Sequence, residues 1–339
     1  MTTAKKLTLV VKTKEQLRQS SGLSKSVPFS EYPNAISSTI GEAPNLSDNS
    51  TLGKLALLSQ TKERYKTALN LPPETPFSQY IYHIKNYWQP LPIFSNNVAG
   101  LWFDPSDLTT LFQDSAGTIP VTANGDPVGL MRDKSGRNCH ARQTVSAKRP
   151  TYRTDGALSW IDFDGVDDAM TTEVVPFSQP NVFVSAGIRK TVGGTRQTLL
   201  ELSNSVGTNP NTFGITSPET TGYGVGALLN GSNGQSGRVS GFTAEQSLIV
   251  TARLNINSDL NVTRYNIRVD RVKQTITNVG NPTLSTGFAP HAIYLGARGG
   301  TSAFFKGRMY GLVLREGLLS NENLLFVESY MGRKTGQVQ

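Results

Sequence analysis

The chain has 339 residues, enough for one large domain or two to three modest ones, and its 32 Gly, 18 Pro and 17% charged residues favour turn-dense β structure over helical bundles. Its net charge is +8, but the excess is diffuse: 11 Lys/Arg against 6 Asp/Glu in residues 1–90, and 22 against 19 in the rest. No basic stripe points to nucleic acid. The single cysteine, Cys139, excludes an intrachain disulfide, and His83, His140 and His291 are too far apart in sequence to suggest a zinc site. No stretch nears ~18 apolar residues, and Leu7 to Val11 is too short for a signal-peptide core. The expectation is a protein made in the cytosol, without membrane insertion.

The chain opens on a tandem repeat. Residues 3–36 align without a gap with 51–84, and 13 of the 34 positions are identical. Thr13-Lys14-Glu15 matches Thr61-Lys62-Glu63, and Pro28-Phe29-Ser30-x-Tyr32 matches Pro76-Phe77-Ser78-x-Tyr80. Thr13 with Glu15 and Gln16 reads as a capped helix start, and Gly22 or Asn70 as its end. The copies occupy 1–48 and 49–90 and form a small α-rich duplicated module. Such short units bury little alone, so they pack on each other or on a partner. Phe29, Tyr32, Phe77 and Tyr80 are the candidate docking residues. Residues 89–96 hold Pro90 and Pro92 and read as stiff, and 91–100 form the linker.

From 101 to 339 the pattern is that of an antiparallel sandwich. Val182, Val184, Ala186 and Ile188 alternate, as do Leu248, Val250, Ala252 and Leu254, then Tyr265, Ile267 and Val269. Period-2 alternation gives one buried and one wet face. Trp160 and Phe163 read as core. Ser320 reads as the N-cap of a last helix with Leu324, Val327 and Met331 on its apolar face and Gly332 at its exit.

Two stretches carry a resemblance. Trp102-Phe103-Asp104-Pro105-Ser106-Asp107-Leu108, Asp133-Lys134-Ser135-Gly136 and Phe163-Asp164-Gly165 fall in one order, and Tyr294-Leu295-Gly296 with Gly307-Arg308-Met309-Tyr310-Gly311 in another. Both resemble concanavalin A-like (laminin G-type) jelly-roll domains of bacteriophage structural proteins, over roughly residues 100–336. The resemblance implies a mainly β fold and a virion protein made in the host cytoplasm. Its repeats would dock to other virion proteins, and its jelly roll would bind host-surface polysaccharide as a tail-fibre, baseplate or head-fibre adhesin. A homo-oligomer is expected, since virion proteins occur in symmetric multiples. A capsid decoration or cement protein is the alternative, and a polysaccharide depolymerase a weaker third.

The residues argue for binding over catalysis. A glucanase-type site needs two carboxylates across a cleft. Asp162 and Asp164 share a strand face and Asp167-Asp168 follow, but the expected Glu is missing. The cluster reads as turn chemistry, with calcium as the one cofactor such oxygens would take. Cys139-His140 adjoins no nucleophile elbow, so the cysteine reads as buried and idle. Ser203 to Gly241 reads as a polar connection rich in Asn, Ser, Thr and Gly. Within it, Tyr223, Asn230, Asn233 and Arg238 are the candidate ligand-binding residues, an aromatic face with amide and guanidinium hydrogen-bonders.

Overall fold

The computed structural model describes residues 89–337, except 193, 204, 206–207, 231–233, 260 and 281–283. The docking candidates Phe29, Tyr32, Phe77 and Tyr80, and the duplicated module that carries them, lie outside the described residues.

In chain order the strands are β1 (Gly100–Phe103), β2 (Leu111–Phe112), β3 (Leu130–Met131), β4 (Ala141–Arg142), β5 (Thr151–Thr154) and β6 (Ser159–Asp164). Then come β7 (Met170–Val175), β8 (Asn181–Lys190), β9 (Thr198–Leu202), β10 (Thr212–Thr216), β11 (Tyr223–Asn230) and β12 (Gly234–Ser240). The rest are β13 (Gln246–Asn255), β14 (Tyr265–Val269), β15 (Val272–Lys273), β16 (Thr277–Val279), β17 (His291–Leu295) and β18 (Lys306–Glu316). A short helix α1 (Asn261–Arg264) precedes β14, and α2 (Asn321–Lys334) follows β18.

The strands form two antiparallel sheets facing each other as a sandwich. The eight-stranded sheet has the order β15-β14-β13-β8-β18-β6-β5, with β1 also on β18. The ten-stranded sheet has the order β16-β12-β11-β10-β9-β17-β7-β4-β3-β2. The long β8 is the spine of the first sheet, paired to β13 from Asn181↔Asn255 to Lys190↔Gln246. The alternating positions of β8, β13 and β14 all point inward, as their spacing predicts. They meet Leu200, Leu202, Phe213, Ile215, Val225, Ala227 and Leu229 of the other sheet. Phe213 is fully buried and meets Phe177 and Phe288 edge-on at 6.0 and 5.1 Å between ring centroids. Burial of one such ring contributes about 2–3 kcal/mol.

Residues 203–241 are not the polar connection the composition suggests: they hold β10, β11 and β12. Glycine hides the strand signal because neighbours approach the outer face closely. At Gly226 a Cβ would lie 2.7 Å from Thr216 Oγ1 and 2.9 Å from Glu219 Cγ. Trp160 is buried, but on the opposite face of β6 from Phe163, with the Arg308 guanidinium 4.3 Å over its ring. Residues 91–100, read as a linker, place Ile93 and Phe94 in the interior.

Helix α2 lies on the outer face of the eight-stranded sheet, against β8, β13 and β18. The Ser320 hydroxyl accepts from Asn323 N at 3.2 Å, and Leu324, Val327 and Met331 are buried beneath. Gly187 makes room for this contact, since a Cβ there would sit 2.8 Å from Thr335 Cγ2. The helix exit is not Gly332, which sits inside the helix under the Arg271 guanidinium. It is Gly336, whose φ of +74° favours glycine.

Candidate functional site

The structure brings Tyr223 and Arg238 together: the guanidinium carbon is 5.7 Å from the ring centroid. Arg238 lies on the outer face of β12, opposite Gly226. Arg238 also faces Glu219, absent from the sequence candidates, whose side chain is fully buried. Its carboxylate accepts from Arg196 Nε at 2.8 Å and from Arg196 Nη2, and from Thr216 Oγ1 at 2.7 Å. Arg238 Nε is 3.2 Å away. The glycine run Gly222-x-Gly224-x-Gly226 was the available signal, since glycine in a strand marks a close approach.

Asn230 stands at the other end of β11, about 23 Å from Tyr223 at ~3.3 Å per residue. It is buried, and its Nδ2 donates to the Asn209 carbonyl at 3.1 Å. Asn233 lies outside the described residues. The sequence candidates therefore do not converge on one pocket.

The other buried carboxylates are also committed. Arg298 Nε lies 3.2 Å from Glu201, and Arg268 donates to Glu328 at 2.7 and 3.0 Å. Lys334 Nζ donates to both oxygens of Asp104 at 2.7 and 2.9 Å. Burial pushes the Asp104 carboxyl up, but Lys334, Ser106 and Lys134 together hold it below its usual value. Cys139 is buried, and burial followed by the nearby Asp133 charge pushes its thiol up to about 12.

Asp164 folds its own hairpin end. Its Oδ1 accepts from Val166 N at 2.7 Å and Asp167 N at 3.3 Å, and its amide donates to Asp168 Oδ2 at 2.9 Å. Carboxylate oxygens of Asp164, Asp167 and Asp168 lie within 4.8 Å of one another, a set chemically suited to a hard cation such as calcium. Burial first, then Asp164, Asp167 and Asp162, push Asp168 up to about 6, against the hydrogen bond from Asp164 N.

A different concavity has the composition of a ligand site. On the outer face of the eight-stranded sheet, Asn181, Arg253, Leu254, Asn255, Thr263, Asn266, Lys273 and Leu318 line a groove of about 420 Å³. Strand parity puts these polar side chains there. Val182, Leu254 and Tyr265 face the core, so Asn181, Arg253, Asn255 and Asn266 face out. Arg253 lies opposite Asn266, and Asn255 opposite Asn181, each about 5 Å apart at Cβ. Lys273 pairs with outward-facing Arg268 and so shares that face. Leu318 forms an apolar wall, held by Arg315 Nη1 donating to its carbonyl at 3.2 Å. The side-chain oxygens of Asn181 and Asn266 are buried without a hydrogen-bond partner, which costs free energy in the fold. No single stretch of sequence could show this site, because its residues come from four strands, the helix α1 and one loop.

No protein-family model matches the chain, and no curated protein matches it. Among solved structures, it is similar to the binding domain of botulinum neurotoxin DC in complex with SialylT, at 11% identity and a TM-score of 0.43 over 70% of this chain and 52% of that one. A botulinum neurotoxin type C structure, described as dependent on two ganglioside molecules for cell entry, is similar at 10% identity and a TM-score of 0.46, over 70% and 53%. The Ruminococcus gnavus IT-sialidase CBM40 bound to alpha2,3 sialyllactose is similar at 16% identity and a TM-score of 0.33, over 44% and 83%. The chain spans about half the length of the neurotoxin chains it matches.

Proposed function

We propose that this chain is a phage virion protein whose sandwich binds glycan on the host surface, while the duplicated module, through Phe29, Tyr32, Phe77 and Tyr80, docks it to the particle. The groove on the eight-stranded sheet carries the binding half of this reading. Three asparagines, a threonine and two cations around one apolar wall match a sugar's hydroxyls and its apolar ring face. Support for binding rather than catalysis comes from the buried glutamates: Glu201, Glu219 and Glu328 are each held by arginine, which ties them to structural roles. The virion half rests on the sequence resemblance and the repeat.

The test is binding of the purified full chain to intact bacteria, with and without enzymatic removal of surface polysaccharide. Saturable binding lost with the polysaccharide is the expected result. Cell binding that survives its removal, or no binding by the folded chain, overturns the glycan reading. For the docking half, Phe29→Ala and Phe77→Ala are each expected to lower incorporation into particles. Normal incorporation of both removes the repeats as the anchor.

A further inference from the structure

We propose that the groove takes an acidic saccharide, with the sugar carboxylate seated by Arg253 and Lys273 adding a second positive charge at the outer end. The inference rests on the glycan-binding reading and narrows it to a ligand class.

The first observation is how arginines are partnered on the outer faces of the two sheets. Arg196, Arg238, Arg268 and Arg298 each face a carboxylate within 3.3 Å. Arg253 is half-buried, and neither it nor Lys273 has an anionic partner among the described residues. The nearby carboxylates are already committed. Glu328 holds Arg268, and Glu316 Oε1 accepts from Ser178 N and Gln179 N at 2.5 and 2.6 Å. A guanidinium in a concavity without an internal anion is poised for one from outside, and a carboxylate fits its fork in two parallel hydrogen bonds.

The second observation selects a sugar acid over other anions. The side chains of Asn181, Asn255, Asn266 and Thr263 line the groove, and amides and a hydroxyl both donate and accept, so a ligand that does both matches them. Hydroxyls donate, whereas phosphate diesters and sulfate do not. Leu318 offers the C–H face of a sugar ring a wall. A neutral sugar would satisfy the amides and leave both cations unpaired. A hexuronic or nonulosonic acid satisfies both sets. Strand geometry places the Cα atoms of Arg253 and Lys273 about 12 Å apart, which spans one sugar residue and the start of its neighbour.

The experiment measures binding of the full chain at physiological salt to immobilised polygalacturonate, polysialic acid, carboxyl-reduced polygalacturonate, dextran and dextran sulfate. The expected result is saturable binding to at least one carboxylated polymer, weakened about tenfold or more by Arg253→Gln and less by Lys273→Gln, with partial recovery in Arg253→Lys. Carboxyl reduction of polygalacturonate removes any binding it supports. The thermal midpoint of each variant, measured alongside, establishes folding. Binding to dextran sulfate alone would show bulk charge attraction and overturn the inference. Equal binding to the reduced polymer, or full binding by Arg253→Gln, would overturn the acidic ligand while the glycan reading stands. No binding to any polymer or to cells would end both.

Discussion

The outer faces of the two sheets treat charge differently. On the ten-stranded sheet, loops fold over the surface and drive Glu219 and Glu201 fully out of water, each against arginine. On the eight-stranded sheet, α2 covers part of the surface and pairs Glu328 with Arg268, but Arg253 and Lys273 beside it have no ion pair among the described residues. Neutralised charges that are hard to reach serve the fold. Half-exposed unpaired charges in a concavity are available for a ligand. Strong electrostatics alone therefore does not mark a site, and the ion-paired face carries more of it than the groove does.

Breaking the ion-paired face has the largest expected effect. Glu219→Ala leaves Arg196 and Arg238 facing each other over Gly226, and unfolding in denaturant is expected to show a loss of about 3–4 kcal/mol. A loss under about 1 kcal/mol would mean the network behaves as a surface pair. Gly226→Ala drives a methyl into Thr216 and Glu219 and is expected to cost about 1–3 kcal/mol on the same assay. Ser320→Ala removes the α2 cap and is expected to cost about 1 kcal/mol.

Asp168→Asn sharpens the comparison through pH. Its folded carboxyl sits near 6, above the ordinary 3.8, so the folded state holds this proton more tightly. The contribution to stability is greatest below about pH 4 and is lost as pH rises through 6. The asparagine, which keeps the acceptor for Asp164 N, is expected to raise the thermal midpoint at pH 7.5 by the equivalent of about 1 kcal/mol and to have no effect at pH 3.5. A pH-independent change would contradict this. Arg253→Gln has the smallest expected effect on stability, within about 0.5 kcal/mol, because no carboxylate loses a partner.

The spine of the fold was legible because its signal is local. Val182 to Ile188 and Leu248 to Leu254 alternate in unbroken runs, and Ser320 stands one residue before its helix. β10 to β12 were not, since Gly224 and Gly226 stand where Phe242 and Glu219 press on the strand. Among the binding candidates, Tyr223 and Arg238 do meet, and Arg238 also faces a buried glutamate whose one sequence signal is the glycine run beside it. The groove depends on register: Arg253 reaches Asn266 and Asn255 reaches Asn181 only once β8, β13 and β14 are paired. Wet-face residues carry no periodic signal of their own beyond the gaps between core positions.

One measurement separates the two faces directly. Binding of fragments of a carboxylated polysaccharide that the wild-type chain binds would be titrated against the wild-type chain, Arg253→Gln and Tyr223→Ala side by side. The expected result is a loss of about tenfold or more in Arg253→Gln and near wild-type affinity in Tyr223→Ala. Retained affinity in Arg253→Gln with loss in Tyr223→Ala would move the site to the ion-paired face and contradict the account.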